Sequence, residues 1–258
     1  MSSMALGTQH PESSRSGVPA GGYNMSQPMP PKSNLGVAAF RRRLARWFRR
    51  AGRDLPWRRT RDPYRVVVSE VMLQQTQVSR VLDYYPAFIE RYPSIHRLAA
   101  ARPRAVREAW DGLGYYRRAE NLRRMAKVVV KKHEGRMPFS LDALRRLPGI
   151  GPYTAGAVAC FAYEQAAPAV DTNVARVLKR AFGETRRTHK TRGPSEARRL
   201  RDLSASLQPR RGTAAWTFNQ ALMELGALVC TAKNPKCGAC PVREDCAWYQ
   251  RAGFISPK

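Results

Sequence analysis

Residues 147–157 read LPGIGPYTAGA. An apolar-periodic stretch, SLDALRRL, leads into it from Ser140, a residue type that caps helix N-termini, and Pro148 stops that helix after Leu147. Gly149 and Gly151 permit a tight turn with positive φ and a close approach of backbone to whatever lies outside it. Pro152 suits the first turn of a new helix, and the apolar run TAGAVACFAY carries that helix into a core. The first N–H groups of such a helix lack partners within it, which makes them a site for an anion.

Outward from this hairpin the pattern stays helical. LGVAAFRRRLARWFRR places Val37, Phe40, Leu44, Trp47 and Phe48 at helical spacing, with six arginines between them. Ser94 is a candidate N-cap for SIHRLAAA, and YYRRAENLRRMAKVVVKKH reads as a long basic amphipathic helix. VDTNVARVLKRAFG, SEARRLRDLSASL and AAWTFNQALMELGALVC follow, with a polar, basic connection over roughly residues 183–195. Neither a strand-like alternation nor an Asn-Gly hairpin signal occurs, so the fold class is all-α. Residues 1–34, rich in Gly, Pro, Ser and Met, read as a disordered tail.

The charge narrows the partner. The 258 residues carry 46 Lys and Arg against 19 Asp and Glu, a net +27. Such an excess repels itself unless it meets a polyanion, which points to nucleic acid; an anionic membrane surface is the competing class. No run is apolar enough to span a bilayer, and the first residues lack a signal peptide's basic and apolar regions, so a cytoplasmic location is expected. In this setting the turn at 147–157 reads as a helix-hairpin-helix, with Gly149, Gly151 and Thr154 the candidate phosphate contacts.

Four of the five cysteines fall within seventeen residues as Cys230-x6-Cys237-x2-Cys240-x5-Cys246. Four thiolates so spaced can close on one centre, and either a structural zinc or a 4Fe–4S cluster fits. Lys233, Lys236 and Arg243 would offset its negative charge. Cys160, alone in an apolar helix, reads as core packing.

Two acids complete the pattern. In VVVSEVMLQQTQV, residues 66–78, Glu70 lies among valines, Met72 and Leu73, where burial raises a carboxyl pKa towards use as a general acid. Asp171 precedes the helix of VDTNVARV as a candidate N-cap, where the helix terminus favours the ionised form. One protonated and one ionised carboxyl is the arrangement that cleaves glycosidic bonds.

Together these features resemble the helix-hairpin-helix DNA glycosylases over roughly residues 37–250. LPWR, DPY, SEVMLQQTQV, GLGYYRRAENL, LPGIGPYTAGA, VDTNV and the cysteine spacing resemble the MutY-type adenine glycosylases most. The resemblance implies a six-helix barrel (57–168), and a second lobe that joins residues 35–56 to 169–258 and holds a 4Fe–4S cluster on Cys230, Cys237, Cys240 and Cys246. It implies that Glu70 protonates adenine N7 and that Asp171 stabilises the oxocarbenium sugar, with Tyr153 and Asn173 supporting them. It places Trp57, Arg58 and Gln220 in the adenine pocket, and Gln75 and Tyr115 as wedges in the base stack. The partner is then double-stranded DNA holding a mismatch or oxidised base, acted on by a monomer.

Bifunctional relatives carry a lysine where this chain has Tyr153, so a monofunctional enzyme without strong lyase activity is expected. The chain stops twelve residues after Cys246, short of the C-terminal domain with which MutY proteins read 8-oxoguanine. A weak preference for 8-oxoguanine over guanine is therefore expected. Thymine and uracil mismatch glycosylases share Glu70, Tyr153 and Asp171 and are the enzymatic alternative. A non-catalytic iron–sulfur DNA-binding protein is the alternative of another class.

Overall fold

The computed structural model describes residues 34–183, 195–210 and 212–251. Residues 1–33 of the expected tail and 184–194 of the basic connection lie outside them. The described residues form helices, turns and loops, with no strand among them, in agreement with the all-α reading.

Two separate hydrophobic cores organise the chain. The first is enclosed by α2 (Pro63–Leu73), α3 (Val78–Arg91), α4 (Ile95–Ala100), α5 (Pro103–Glu108), α6 (Arg117–His133), α7 (Leu141–Arg145) and α8 (Pro152–Phe161). Trp110, Phe88, Met72, Leu98, Leu122 and Leu144 lie fully buried in it. The second forms between α1 (Asn34–Ala51), α9 (Thr172–Phe182), α10 (Glu196–Ser206) and α11 (Thr213–Leu228). There Phe40 packs against Phe182, ring centroids 5.3 Å apart. The cysteine loop and the short α12 (Ala247–Arg251) close its far end. The chain thus starts in one core, builds the other and returns.

Local signals set the helix starts. Ser94, Ser140 and Ser195 accept from the backbone N–H groups of Arg97, Ala143 and Arg198, each at 3.3 Å. Asp62 accepts from Tyr64 and Arg65 ahead of Pro63, the best residue type for a first helical position. The arginines of α1 do not all face solvent as its periodicity implies. Arg41 donates to the carbonyls of Leu207 and Gln208, and Arg43 pairs with Glu244 and Asp245, so the helix is tied to α10 and the cysteine loop.

The segment between α8 and α9 crosses from one core to the other and is gripped on both sides. A Cβ on Gly156 of α8 would stand 2.2 Å from the Pro168 carbonyl oxygen, and one on Gly226 of α11 would stand 2.7 Å from Asn173 Cβ. Both glycines are where they are because backbone passes within contact distance. The Ala169 N–H also donates to Oδ1 of Asn219, a fully buried side chain of α11.

Gly156→Ala is therefore expected to lower the free energy of unfolding by about 1–3 kcal/mol through overpacking. Denaturant titration measures it; a loss under about 0.5 kcal/mol, the scale of a neutral surface change, would show that α8 yields at no cost.

Candidate active site

Glu70 lies in the buried middle of α2, 4% exposed, between Ser69 and Val71. Its carboxyl is bonded by Tyr153, in the first turn of α8, whose hydroxyl donates to Oε2 at 2.5 Å. Burial drives the carboxyl up to about 7. The Tyr153 hydroxyl and the Arg58 charge pull it back, and the negative charge of Asp171 adds to the rise. Tyr153 itself is pushed well above the ordinary phenol value, by burial first and then by the two acids, so it remains a donor.

Asp171 caps α9, as its position implies: Oδ1 accepts from the Val174 N–H at 2.6 Å. The Asn173 amide approaches Oδ2 at 3.4 Å. The helix terminus is not the only influence on its ionisation. Burial raises the Asp171 carboxyl above its usual range, and the Val174 and Asn173 donors and Arg176 only partly oppose it. A hydrogen-bonded chain continues from here: Arg176 donates to Asn173 Oδ1 and the Gly226 carbonyl at 2.7 Å, and to the Cys230 carbonyl at 2.8 Å. A cavity of about 330 Å³ opens beside Asp171, lined also by Pro152, Tyr153, Thr172, Leu200 and Arg201.

The three residues assigned to a base pocket split between packing and hydrogen bonding. Trp57 is buried edge-on against Tyr85 at 5.5 Å. Arg58 donates through Nε to Gln220 Oε1 at 2.7 Å and through Nη2 to Glu224 Oε2 at 2.8 Å. Glu224 was not among the residues singled out in the sequence. It is fully buried and also receives Arg53 through Nε, Nη2 and the backbone N–H. Burial alone would raise it, but the hydrogen bonds from the two arginines win and bring it down to about 2. The same signal that marks Glu70, one acid in an apolar helix, was present in ALMELGAL.

At the hairpin only one glycine is in the left-handed region. Gly149 has φ 76°, and a Cβ there would meet Asn121 at 2.7 Å. Gly151 corrects the expectation of a second positive φ: it is extended (φ −85°, ψ 178°), exposed, and open on the side where a Cβ would stand. Thr154 turns inward, 2% exposed, with its hydroxyl accepting from Gln74 at 3.2 Å. Its side chain is thus turned towards Gln74 and away from the exposed turn.

Gln75 and Tyr115 both border one open groove, and both have positive φ, 57° and 47°. Tyr115 is 62% exposed, unusual for a large aromatic residue.

Cys230, Cys237, Cys240 and Cys246 line a single cavity with Arg180, Arg243 and Trp248. Arg180 Nη1 reaches to 3.4 Å from Cys230 Sγ. Four thiols around one cavity are a donor set that a zinc ion or a 4Fe–4S cluster can use.

Comparison with known proteins agrees with this chemistry. Residues 68–204 match the HhH-GPD superfamily of base excision DNA repair proteins, and residues 230–246 match the iron–sulfur binding domain of endonuclease III. These four cysteines are accordingly an iron–sulfur cluster site. An adenine DNA glycosylase of Mycolicibacterium smegmatis is 48% identical over 212 residues, 82% of this chain and 69% of that protein. A thymine/uracil-DNA glycosylase of Pyrobaculum aerophilum is 38% identical over 215 residues, 82% of this chain and 92% of that protein. The structure of a thermostable thymine-DNA glycosylase superposes with a TM-score of 0.75 at 31% identity, over 84% of this chain and 98% of the other.

The Glu70 carboxyl gives a test independent of any substrate. The folded protein holds its proton up to about pH 7, whereas the unfolded chain releases it near 4.5. In that interval the native state binds more protons, so stability falls as pH rises. Glutamine does not titrate, so Glu70→Gln should gain on the wild type by up to about 3 kcal/mol between acid and mildly alkaline pH. Urea denaturation of both proteins at about pH 5 and about pH 8 measures this; an equal difference at both would show that the carboxyl is not held protonated.

Proposed function

The chain belongs to the HhH-GPD superfamily of base excision DNA repair proteins, and from that membership we propose a monofunctional DNA glycosylase that releases adenine mispaired with 8-oxoguanine or guanine. The observation that carries the reading is the dry Glu70 carboxyl, titrating near 7 under the hydroxyl of Tyr153, with Asp171 beside it. An acid still protonated near neutral pH suits a leaving base with a ring nitrogen to accept the proton, as adenine has at N7. Asp171 then faces the positive charge that develops on the sugar as the bond breaks.

The other parts follow from the duplex. The target base is flipped out of the stack before chemistry, at a cost of about a few kcal/mol. Phosphates are gripped by the exposed turn at Gly151 and the basic surface, contacts that carry no base information. Selection falls to the pocket of Trp57, Arg58 and Gln220 and to the wedges Gln75 and Tyr115. In this reading residues 57–168 form the lobe that carries the acid. Residues 169–258 with 35–56 form the lobe that carries Asp171 and the cluster, and the sugar lies between the two. Among the described residues no lysine lines the cavity beside Asp171, and Tyr153 is committed to Glu70, which supports hydrolysis without a Schiff base. A second reading, thymine or uracil release from mispairs with guanine, is favoured by the Pyrobaculum relative, nearly all of whose length this chain matches.

A cleavage panel decides between them. Duplexes with A opposite 8-oxoguanine, A opposite G, T opposite G and U opposite G are incubated with the protein and then treated with alkali. Adenine release is expected; thymine or uracil release supports the second reading, and no release removes both. Glu70→Gln should slow single-turnover release by about a thousandfold while leaving binding intact. Above about pH 7 the wild-type rate should fall about tenfold per unit as Glu70 loses its proton. Borohydride should trap little covalent product, and efficient trapping at a lysine would overturn the monofunctional assignment.

A further inference from the structure

Among the described residues Arg118 is the one buried arginine near the groove of Gln75 and Tyr115, 9% exposed and with no carboxylate paired to it. It sits in the first turn of α6 and its guanidinium is surrounded by acceptors from two loops. Nη1 donates to the carbonyls of Val71 at 3.0 Å, Met72 at 2.7 Å and Gln74. These are groups at the C-terminal end of α2 that a helix leaves unpaired. Nη2 donates to Thr76 Oγ1 and the Leu113 carbonyl at 3.0 Å, and to the Gly114 carbonyl at 3.2 Å. The guanidinium also lies 5.4 Å from the Tyr115 ring centroid and 5.5 Å from that of Trp110.

One side chain therefore bonds the residues on either side of Gln75 and the residue before Tyr115. Those two tips are among only five described non-glycine residues with positive φ. Such a backbone is held in place by its surroundings, and here the same cation supplies much of the surroundings of both. The planar fork matters. A lysine ammonium in the same place could not span acceptors on opposite sides.

We propose that Arg118 is a positioning residue that locks the Gln75 and Tyr115 loops into one preassembled wedge, so that the two tips enter the base stack together. The proposal rests on the reading of these tips as wedges, but not on which base is released. If it is right, loss of the fork harms reactions that need the gap filled and spares those that do not.

The test uses the full chain with its cluster loaded and a duplex carrying 2-aminopurine next to the mispair, whose fluorescence reports unstacking. Arg118→Lys should lower both the fluorescence rise and the single-turnover rate on A opposite G by about tenfold, with less than about a threefold loss when the adenine faces an abasic site. In the wild type, Gln75→Ala and Tyr115→Ala should be non-additive by about fivefold or more; in the Arg118→Lys background they should add within about twofold. Equal losses on both substrates, or tips that act additively with the fork intact, would overturn the proposal. Cluster absorbance and helical content verify folding. If Arg118→Lys does not fold, Thr76→Val, which removes one acceptor of the fork, should lower the same two readouts to a smaller degree, and no change in either counts against the idea. A wild type that releases thymine instead of adenine alters the proposed substrate alone, and the same comparison is then made on T opposite G. A wild type that unstacks no mispair ends the wedge proposal itself.

Discussion

A carboxylic acid that stays protonated near neutral pH must be kept from water and from uncompensated cations, and much of the site obeys that constraint on Glu70. Two buried glutamates show how it is met. Glu70 has a hydroxyl as its hydrogen-bond partner and titrates at about 7. Glu224 is at least as buried, but two arginines converge on it and hold it at about 2. The difference lies in the partners, not in the burial. Arg58 connects the cases, because its charge also acts on Glu70 and would favour the ionised form. Glu224 sits in contact with that guanidinium and opposes its charge, while Gln220 takes its Nε–H. A neutral replacement at 224 would leave the buried Arg58 guanidinium without its carboxylate and bring the Glu70 carboxyl back towards ionisation.

The second acid depends on the backbone. Asp171 lies at the end of a segment that crosses between the two cores, with Gly156 against Pro168 before it and Gly226 against Asn173 after it. Its cap on α9 fixes Oδ1, and Asn173 and Arg176 carry the hydrogen bonding on to the carbonyl of Cys230. The cysteine loop therefore holds the helix that Asp171 caps, through main-chain carbonyls that accept from Arg176 and Arg180. Tyr153 joins the two halves of the site: its helix starts at the hairpin, its hydroxyl ends on Glu70, and both acids act on its ionisation.

Much of this was legible in the sequence because the signals are local. Caps at Ser94, Ser140 and Asp171 are one-residue decisions, and the structure uses all three. The cysteine spacing and the turn at 147–157 are short-range as well. What escaped is long-range. Arg118 looked like one more surface arginine in a basic helix. Yet it falls on the same face as Leu122, Met125 and Val129, a periodicity that its charge obscured. Its acceptors lie up to 47 residues away, which no window reveals. Thr154 and Gly151 differ from expectation for a related reason. Their neighbours in sequence set the turn, but Gln74, eighty residues distant, decides which way the hydroxyl points.

The distribution of charge also limits where selectivity can reside. A net +27 ensures strong attraction to any duplex, and phosphate contacts weigh all sequences alike. Discrimination has to come from groups whose energy differs between paired and mispaired DNA. In the proposed reading Gln75 and Tyr115 are such groups, since a correctly paired step resists their entry more than a weakened one. They are effective only if they do not collapse when unopposed, and left-handed backbone at Gln75 and Tyr115 costs about 1–3 kcal/mol each. That strain is sustained by buried hydrogen bonds to a charged group, each worth about 1.5–3 kcal/mol and concentrated on Arg118. Rigid tips spend binding energy on opening the helix, whereas soft ones would spend it on ordering themselves. A clamp of this kind therefore favours excision where the stack is already weak, and does so without touching the base that is removed.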